Sequence, residues 1–310
     1  MGLTRQILLR ASTSRLLAEY LPRLRFIRRA VKRFVPGEQI EDALTEAARL
    51  GQEGFSTVIT YLGEYVNDAV EAKAVTDRYL DVLDRTAKQE LDAQISVKLT
   101  QLGLDIDPEL CRENLGQLAA KASETGSMVW IDMESSDCTD VTLEIYREVS
   151  AAGGKAGICL QSYLRRTAGD LAGLLDRGRA IRLVKGAYRE PPAISFPAKR
   201  EVDDMFRELA HAIMKGGGDT GLLALGTHDD RLVESILAGR GSDRRQVQVE
   251  IQMLYGIRVE SQRHWLSEGI PVRILLSYGE AWYPWYVRRL AERPANLWFV
   301  LRNLFGIFSS

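Results

Sequence analysis

From residue 54 onward, short β-branched runs recur at regular intervals, each followed by a longer amphipathic stretch, and few folds can absorb that many alternations. The runs are Ser56–Tyr61, Gln94–Leu99, Met128–Met133, Gly157–Gln161, Ile181–Lys185, Leu222–Gly226, Gln246–Gln252 and Pro271–Leu276. Between them lie helical patterns at Val75–Gln89, Asp107–Glu124, Val141–Ala152, Asp170–Arg177, Val202–Lys215 and Asp230–Ala238. Eight units within a chain of 310 residues match a (β/α)8 barrel better than an open sheet, since the closed fold takes about 250 residues. The expected architecture is therefore an α/β TIM-type barrel preceded by N-terminal helices. Residues 1–53 are expected to form a helical arm packing on it, with a helix at Glu38–Leu50, and residues 54–310 the barrel with a C-terminal helical tail.

A barrel gives meaning to polar residues at strand ends, because chemistry in this fold collects at the C-terminal rim. Glu64 follows the first run, Lys98 closes the second, and Asp132 and Glu134 close the third. Gln161 and Tyr163, Lys185 and Tyr188, Thr227 to Asp229, Glu250 and Gln252, and Tyr278 complete the set. Cations and aromatics without a Ser-His-Asp or metal-ligand grouping suit an anionic cofactor and an anionic substrate better than hydrolysis.

After the last run comes YGEAWYPWYVRRLAERPAN, from Tyr278 to Asn296. On a helix, Glu292 reaches both Arg288 and Arg289 at i,i+4 and i,i+3 spacing and can orient two guanidinium forks toward a carboxylate. An Arg pair with a Glu alone is more often a solvated helix face. Five aromatics before the arginines, more than one core-facing stripe needs, favour a site.

Bulk numbers exclude more than they assign. Basic and acidic residues number 41 and 42, so no global field draws nucleic acid. Cys111, Cys138 and Cys159, and His211, His228 and His264, lack metal-ligand spacing, and no metal is expected. With no secretory pattern, the cysteines read as reduced thiols of a cytoplasmic protein. The strongest local bias is the basic arm, Arg5 to Arg33, interleaved with leucines. It and the apolar tail Leu297–Phe308 are candidate contacts with the inner face of a membrane, against the alternative of helices packed on the barrel. No run is long enough to span a bilayer, and nothing in the sequence sets an oligomeric state.

Nine blocks in order resemble one family. They are RFVPGEQIEDAL at Arg33, GEYV at Gly63, SVKLTQLG at Ser96, WIDME at Trp130, LQSYLRRT at Leu160, RLVKGAYRE at Arg182, GTHD at Gly226, EIQMLYGIR at Glu250 and the arginine segment. The chain resembles bacterial monofunctional proline dehydrogenases, flavoenzymes on a (β/α)8 barrel. That resemblance implies noncovalent FAD held by Gln161, Arg182, Lys185, Thr227 and His228, with Gly186 permitting close backbone approach. It implies that Arg288 and Arg289 bind the carboxylate of L-proline with Glu292 orienting them. Lys98 and Asp132 complete the polar wall, Tyr188 and Leu254 pack on the pyrrolidine, and Glu64 pairs with the first arginine to close the site. The implied reaction removes hydride from the ring carbon beside nitrogen, yields Δ1-pyrroline-5-carboxylate and sends the electrons to quinone, the first step of proline catabolism.

One block departs from the family pattern. Ile274-Leu275-Leu276-Ser277 stands where members usually carry VYVP, so Leu275 replaces a tyrosine over the substrate ring. Strict preference for proline over hydroxyproline and other cyclic amino acids is thereby in doubt. Arg165 is also unusual for its block. Two rivals stand beside this reading: a Schiff-base lyase using Lys98 or Lys185, and an inactive basic scaffold.

Overall fold

The protein is described by a computed structural model covering residues 31–63, 66–175, 179–216, 221–239 and 247–282. Eight parallel strands close in sequence order: β1 (Ser56–Tyr61), β2 (Ala93–Val97), β3 (Val129–Ile131), β4 (Ala156–Gln161), β5 (Ala180–Val184), β6 (Leu222–Gly226), β7 (Gln248–Leu254) and β8 (Val272–Tyr278). The ring shuts where β8 lies beside β1, Ser56 facing Arg273 and Tyr61 facing Tyr278. The predicted (β/α)8 barrel is the observed fold.

Around the ring run α1 (Ile40–Gln52), α2 (Ala69–Lys88), α3 (Pro108–Glu124), α4 (Thr139–Ala151), α5 (Thr167–Ala172), α6 (Lys199–Gly216), α7 (Asp230–Ala238) and α8 (Val259–Ser267). The main core lies between helices and strands, where Tyr79, Leu83, Leu115, Tyr146, Phe206 and Ile236 pack on the outward-facing residues of the sheet. Helix α1 precedes the first strand, buries Ala43, Leu44, Ala47 and Leu50, and packs against β1 and β8. Trp282, just past β8, donates to Glu38 at 3.1 Å.

Element ends differ from the sequence reading for local reasons. Helix α2 begins at Ala69, six residues before the predicted Val75, because Asp68 caps it by accepting Glu71 N–H at 2.9 Å. Helix α8 was not expected, since ESQRHWLSE shows almost no apolar period. It is seated by Trp265, buried in the main core, and by a buried amide, Gln262 donating to the carbonyls of Leu254 and Ile257 at 3.0 Å each. Strand β7 runs two residues later than predicted, which matters for Glu250. Rather than standing at the rim, Glu250 is the third residue of β7.

There it meets Arg273, near the start of β8. The guanidinium donates through Nε to both Glu250 oxygens at 3.2 Å, and through Nη1 to Asp92 at 3.0 Å and the Thr57 carbonyl at 3.2 Å. Gln252 adds a bond to Glu250 at 2.6 Å. Both charges are buried. This pair closes the end of the barrel opposite the rim, and removing one partner would strand the other charge out of water. Arg273→Met is expected to cost about 3–5 kcal/mol in urea unfolding, with much of it recovered in Arg273→Met/Glu250→Gln. A loss below about 1 kcal/mol for the single variant would show that water reaches Glu250 freely.

Candidate active site

The barrel shaft is built on period-two alternation along each strand. Ser96 and Lys98 lie two apart at the end of β2, Trp130 and Asp132 at the end of β3, and parallel register sets Ser96 beside Trp130 and Trp130 beside Gly157. The indole fills the shaft and donates to Gln94 at 2.6 Å. It fits because position 157 has no side chain: a Cβ there would come within 2.7 Å of two ring carbons.

Arg182, from the middle of β5, lies over this floor with its guanidinium carbon 4.6 Å from the Trp130 ring centre. Its Nη1 donates to Asp132 and to Ser96 Oγ, both at 2.9 Å. Asp132 also accepts from Ser96 Oγ at 2.8 Å and from Lys98 at 3.1 Å. One carboxylate therefore joins a buried guanidinium to a half-exposed ammonium. Burial alone would raise the Asp132 carboxyl, but the charges of Lys98 and Arg182 and the bonds from Ser96 and Lys98 outweigh it and hold it below the usual range. Burial likewise opposes charge on Lys98, yet Asp132 dominates and raises the ammonium above its ordinary value. Glu134 shifts the other way, raised chiefly by burial. It accepts from Thr100 N–H at 3.1 Å and Thr100 Oγ at 2.8 Å.

Two buried groups on this floor keep unused hydrogen-bonding atoms. Among the described residues, Arg182 Nε and Nη2 and Gln161 Oε1 have no partner. Gln161 at the end of β4 donates from its amide nitrogen to the carbonyls of Met133 at 3.0 Å and Glu134 at 3.3 Å, which leaves the oxygen as acceptor. Orphaned donors and acceptors in a barrel shaft are costly unless water or a ligand completes them.

The other predicted residues distribute around the same rim. Gly186 follows β5 with φ +112°, and its missing Cβ makes way for the Tyr163 ring, which would lie 2.1 Å from it. Tyr188, two residues on, is 39% exposed. Thr227 is buried after β6 and accepts from Asp229 N–H at 3.2 Å. Leu254 N–H donates to His228 Nε2 at 3.3 Å. Leu254 ends β7 beside Leu275 of β8, and Leu275, at mid-strand, packs on the group formed by Val58, Trp130 and Ala224. Lys185 is held between Asp203 at 2.6 Å and Asp229 at 2.8 Å. That contact, chiefly its hydrogen bond, pulls the Asp229 carboxyl down to about 2. Glu64, Arg288, Arg289 and Glu292, with the basic arm and the apolar tail, lie outside the described residues.

The family model described as proline dehydrogenase covers residues 43–302. The chain belongs to the proline dehydrogenase family. It is 38% identical over 278 residues to proline dehydrogenase 1 of Bacillus subtilis subsp. natto, covering 89% of this chain and 91% of that protein. It is 36% identical over 283 residues to the proline dehydrogenase of Deinococcus radiodurans, covering 88% and 89%. Among solved structures, proline utilization A from Bdellovibrio bacteriovorus inactivated by N-propargylglycine shares the fold with a TM-score of 0.77 at 22% identity. That alignment covers 92% of this chain and 34% of the longer protein, so the chain spans about a third of it.

The site also weighs against a Schiff-base lyase, which needs a neutral amine. Lys98 is driven further toward its charged form, and Lys185 is clamped by two carboxylates. Among the described residues no group of three or more His, Cys, Asp or Glu is arranged to hold a metal, and no helix is long and apolar enough to cross a membrane. Ser96 and Trp130 went unnoticed in the sequence although each stands two residues before a predicted site residue on the same strand face. Applying period two backward from Lys98 and Asp132 finds both.

Proposed function

We propose that the chain oxidises L-proline to Δ1-pyrroline-5-carboxylate with a noncovalent FAD and passes the electrons to quinone. The observation that carries the reading is the set of unpartnered atoms in the barrel shaft. Arg182 offers donors only and Gln161 Oε1 an acceptor, while the polar rim of an isoalloxazine ring has both carbonyl acceptors and an N–H donor. The donor set fits the group. Bound FAD would supply the two-electron sink for the hydride.

The residues around it have separable tasks. Arg182, always charged, stabilises negative charge on its ligand, and its pairing with Asp132 and Trp130 keeps it aligned without later reorganisation. Gln161, Thr227, His228, Lys185 and Gly186 line the remainder of the cofactor side. Lys98, oriented by Asp132, brings positive charge to the mouth of the site. Arg288 and Arg289 hold the substrate carboxylate with Glu292 orienting them, and Glu64 closes over the first of them. Tyr188 and Leu254 cover the pyrrolidine, with Leu275 extending the apolar wall where the family has a tyrosine hydroxyl. A dry wall favours the neutral amine that oxidation requires. Asp132 already accepts from Ser96, Lys98 and Arg182 and is held below the usual carboxylate range, so water is the better proton acceptor.

Arg182→Met should lower the flavin-to-protein ratio or slow anaerobic reduction of the bound flavin by proline. Full flavin content together with an unchanged reduction rate would remove Arg182 from this role. Arg289→Lys keeps charge but loses the planar fork. A charge-assisted bond in a closed site is worth about 1.5–3 kcal/mol, so kcat/KM should fall roughly ten- to a hundredfold with flavin retained. Parental kcat and KM would return the arginine pair to a solvated helix face. Delivery to quinone at a membrane rests on the basic arm and the apolar tail. The full chain should float with anionic liposomes at low salt and lose much of that binding without residues 1–30. Absence of flotation at low salt would leave only a soluble acceptor.

A further inference from the structure

We infer that Glu190 is a positioning residue that holds Tyr188 over the substrate, acting across β4 from the loop after β5 to the loop after β3. The inference rests on the proposed role of Tyr188. The Glu190 carboxylate takes Ser136 N–H on one oxygen and Ser136 Oγ–H on the other, each at 2.8 Å. Ser136 follows Asp132 and Glu134 on the same loop, so the bond ties the segment bearing Tyr188 to the segment bearing the polar floor.

The rest of the β5 loop is already anchored elsewhere. Ile194 N–H turns back to the Pro191 carbonyl at 3.1 Å, and Ser195 Oγ donates to the backbone carbonyls of Pro191 at 3.0 Å and Glu190 at 3.3 Å. Arg165 N–H donates to Ile194 at 3.0 Å, and Phe196 N–H to Tyr163 at 2.8 Å. The Arg165 guanidinium lies 4.5 Å from the Phe196 ring centre, which gives this unusual arginine a structural use. At the other end Gly186 is seated under Tyr163. Between these anchors Tyr188 is 39% exposed, and Glu190, two residues later, pins the stretch to the far wall. Two hydrogen bonds to one ionised carboxylate are among the stronger contacts a half-buried loop can make. No proton or electron passes through Glu190. Its effect is on where the phenol ring stands.

Tyr188 packing on the ring of proline serves the bound substrate and the transition state alike, so releasing it should raise KM and spare kcat. In the flavin-loaded enzyme, Glu190→Ala should raise KM for proline about tenfold, the lower end for a charge-assisted bond at a half-buried site, with kcat within about twofold. Glu190→Gln, which still accepts Ser136 N–H, should restore most of the affinity. In a Tyr188→Ala background the Glu190→Ala effect should vanish, because both changes remove the same contact. Trypsin cleavage after Arg189 should become faster in Ser136→Ala, which leaves the cleavage-site sequence unchanged, while the unfolding midpoint of the barrel stays put, a readout independent of turnover. Should Glu190→Ala not fold, Ser136→Ala removes only the hydroxyl bond and should raise KM in the same direction by less. An unchanged KM in Glu190→Ala, or an increase that persists in full without the Tyr188 ring, overturns the inference while the proline reaction stands. A parental enzyme inert toward proline would instead overturn the proposed function.

Discussion

The site depends on one carboxylate shared by two cations over an indole. Asp132 receives Arg182 across the shaft and Lys98 from the neighbouring strand, and Ser96 bridges the first contact. A guanidinium buried in the middle of a barrel is tolerable only when paired, and only a closed ring can bring β5 face to face with β2 and β3. Trp130 supplies the surface on which Arg182 lies, and Gly157 supplies the room for Trp130. Fold and site are thus coupled through a single tryptophan.

The same network decides which groups can exchange protons. Lys98 is kept charged by Asp132, and Asp132 is kept charged by Lys98 and Arg182. Neither suits an acid–base cycle near neutral pH; Asp132 instead fixes the two cations, Lys98 and Arg182, in place. Cys159, also facing the shaft beside Arg182 in register, is pushed up to about 11 mainly by burial and stays a thiol. A second ion pair, Arg273 with Glu250, stabilises the opposite end of the shaft. The barrel interior thus has a charged layer toward each end, separated by Trp130, Val58, Ala224 and Leu275.

The β-branched runs located all eight strands because parallel strands buried on both sides must be apolar over nearly their whole length. Their ends were less legible. Gln246–Gln252 and Gln248–Leu254 differ by a two-residue shift that preserves facing but not height, which is why Glu250 read as a rim residue and proved to be Arg273's partner. Helix α8 leaves little apolar period because one tryptophan, Trp265, and a buried glutamine do the work that an apolar stripe does elsewhere. Residues on the family blocks, Lys98, Asp132, Gln161, Arg182 and Leu254, do come to one rim. Their supporting partners were hidden for different reasons. Ser96 and Trp130 follow from strand period, whereas Glu190 meets Ser136 because the loops after β5 and β3 face each other, and Lys185 meets Asp203 because α6 folds back on β5, and neither leaves a local pattern to read.

The central claim is that Arg182 and Gln161 leave hydrogen-bonding atoms free in the shaft for a flavin that proline reduces. The most direct measurement is the visible spectrum of the purified, FAD-supplemented protein before and after anaerobic addition of L-proline. The account predicts a yellow protein whose flavin bands bleach with proline and whose cofactor is released on denaturation. A protein that stays colourless, or whose oxidised flavin bands are untouched by proline, would contradict it.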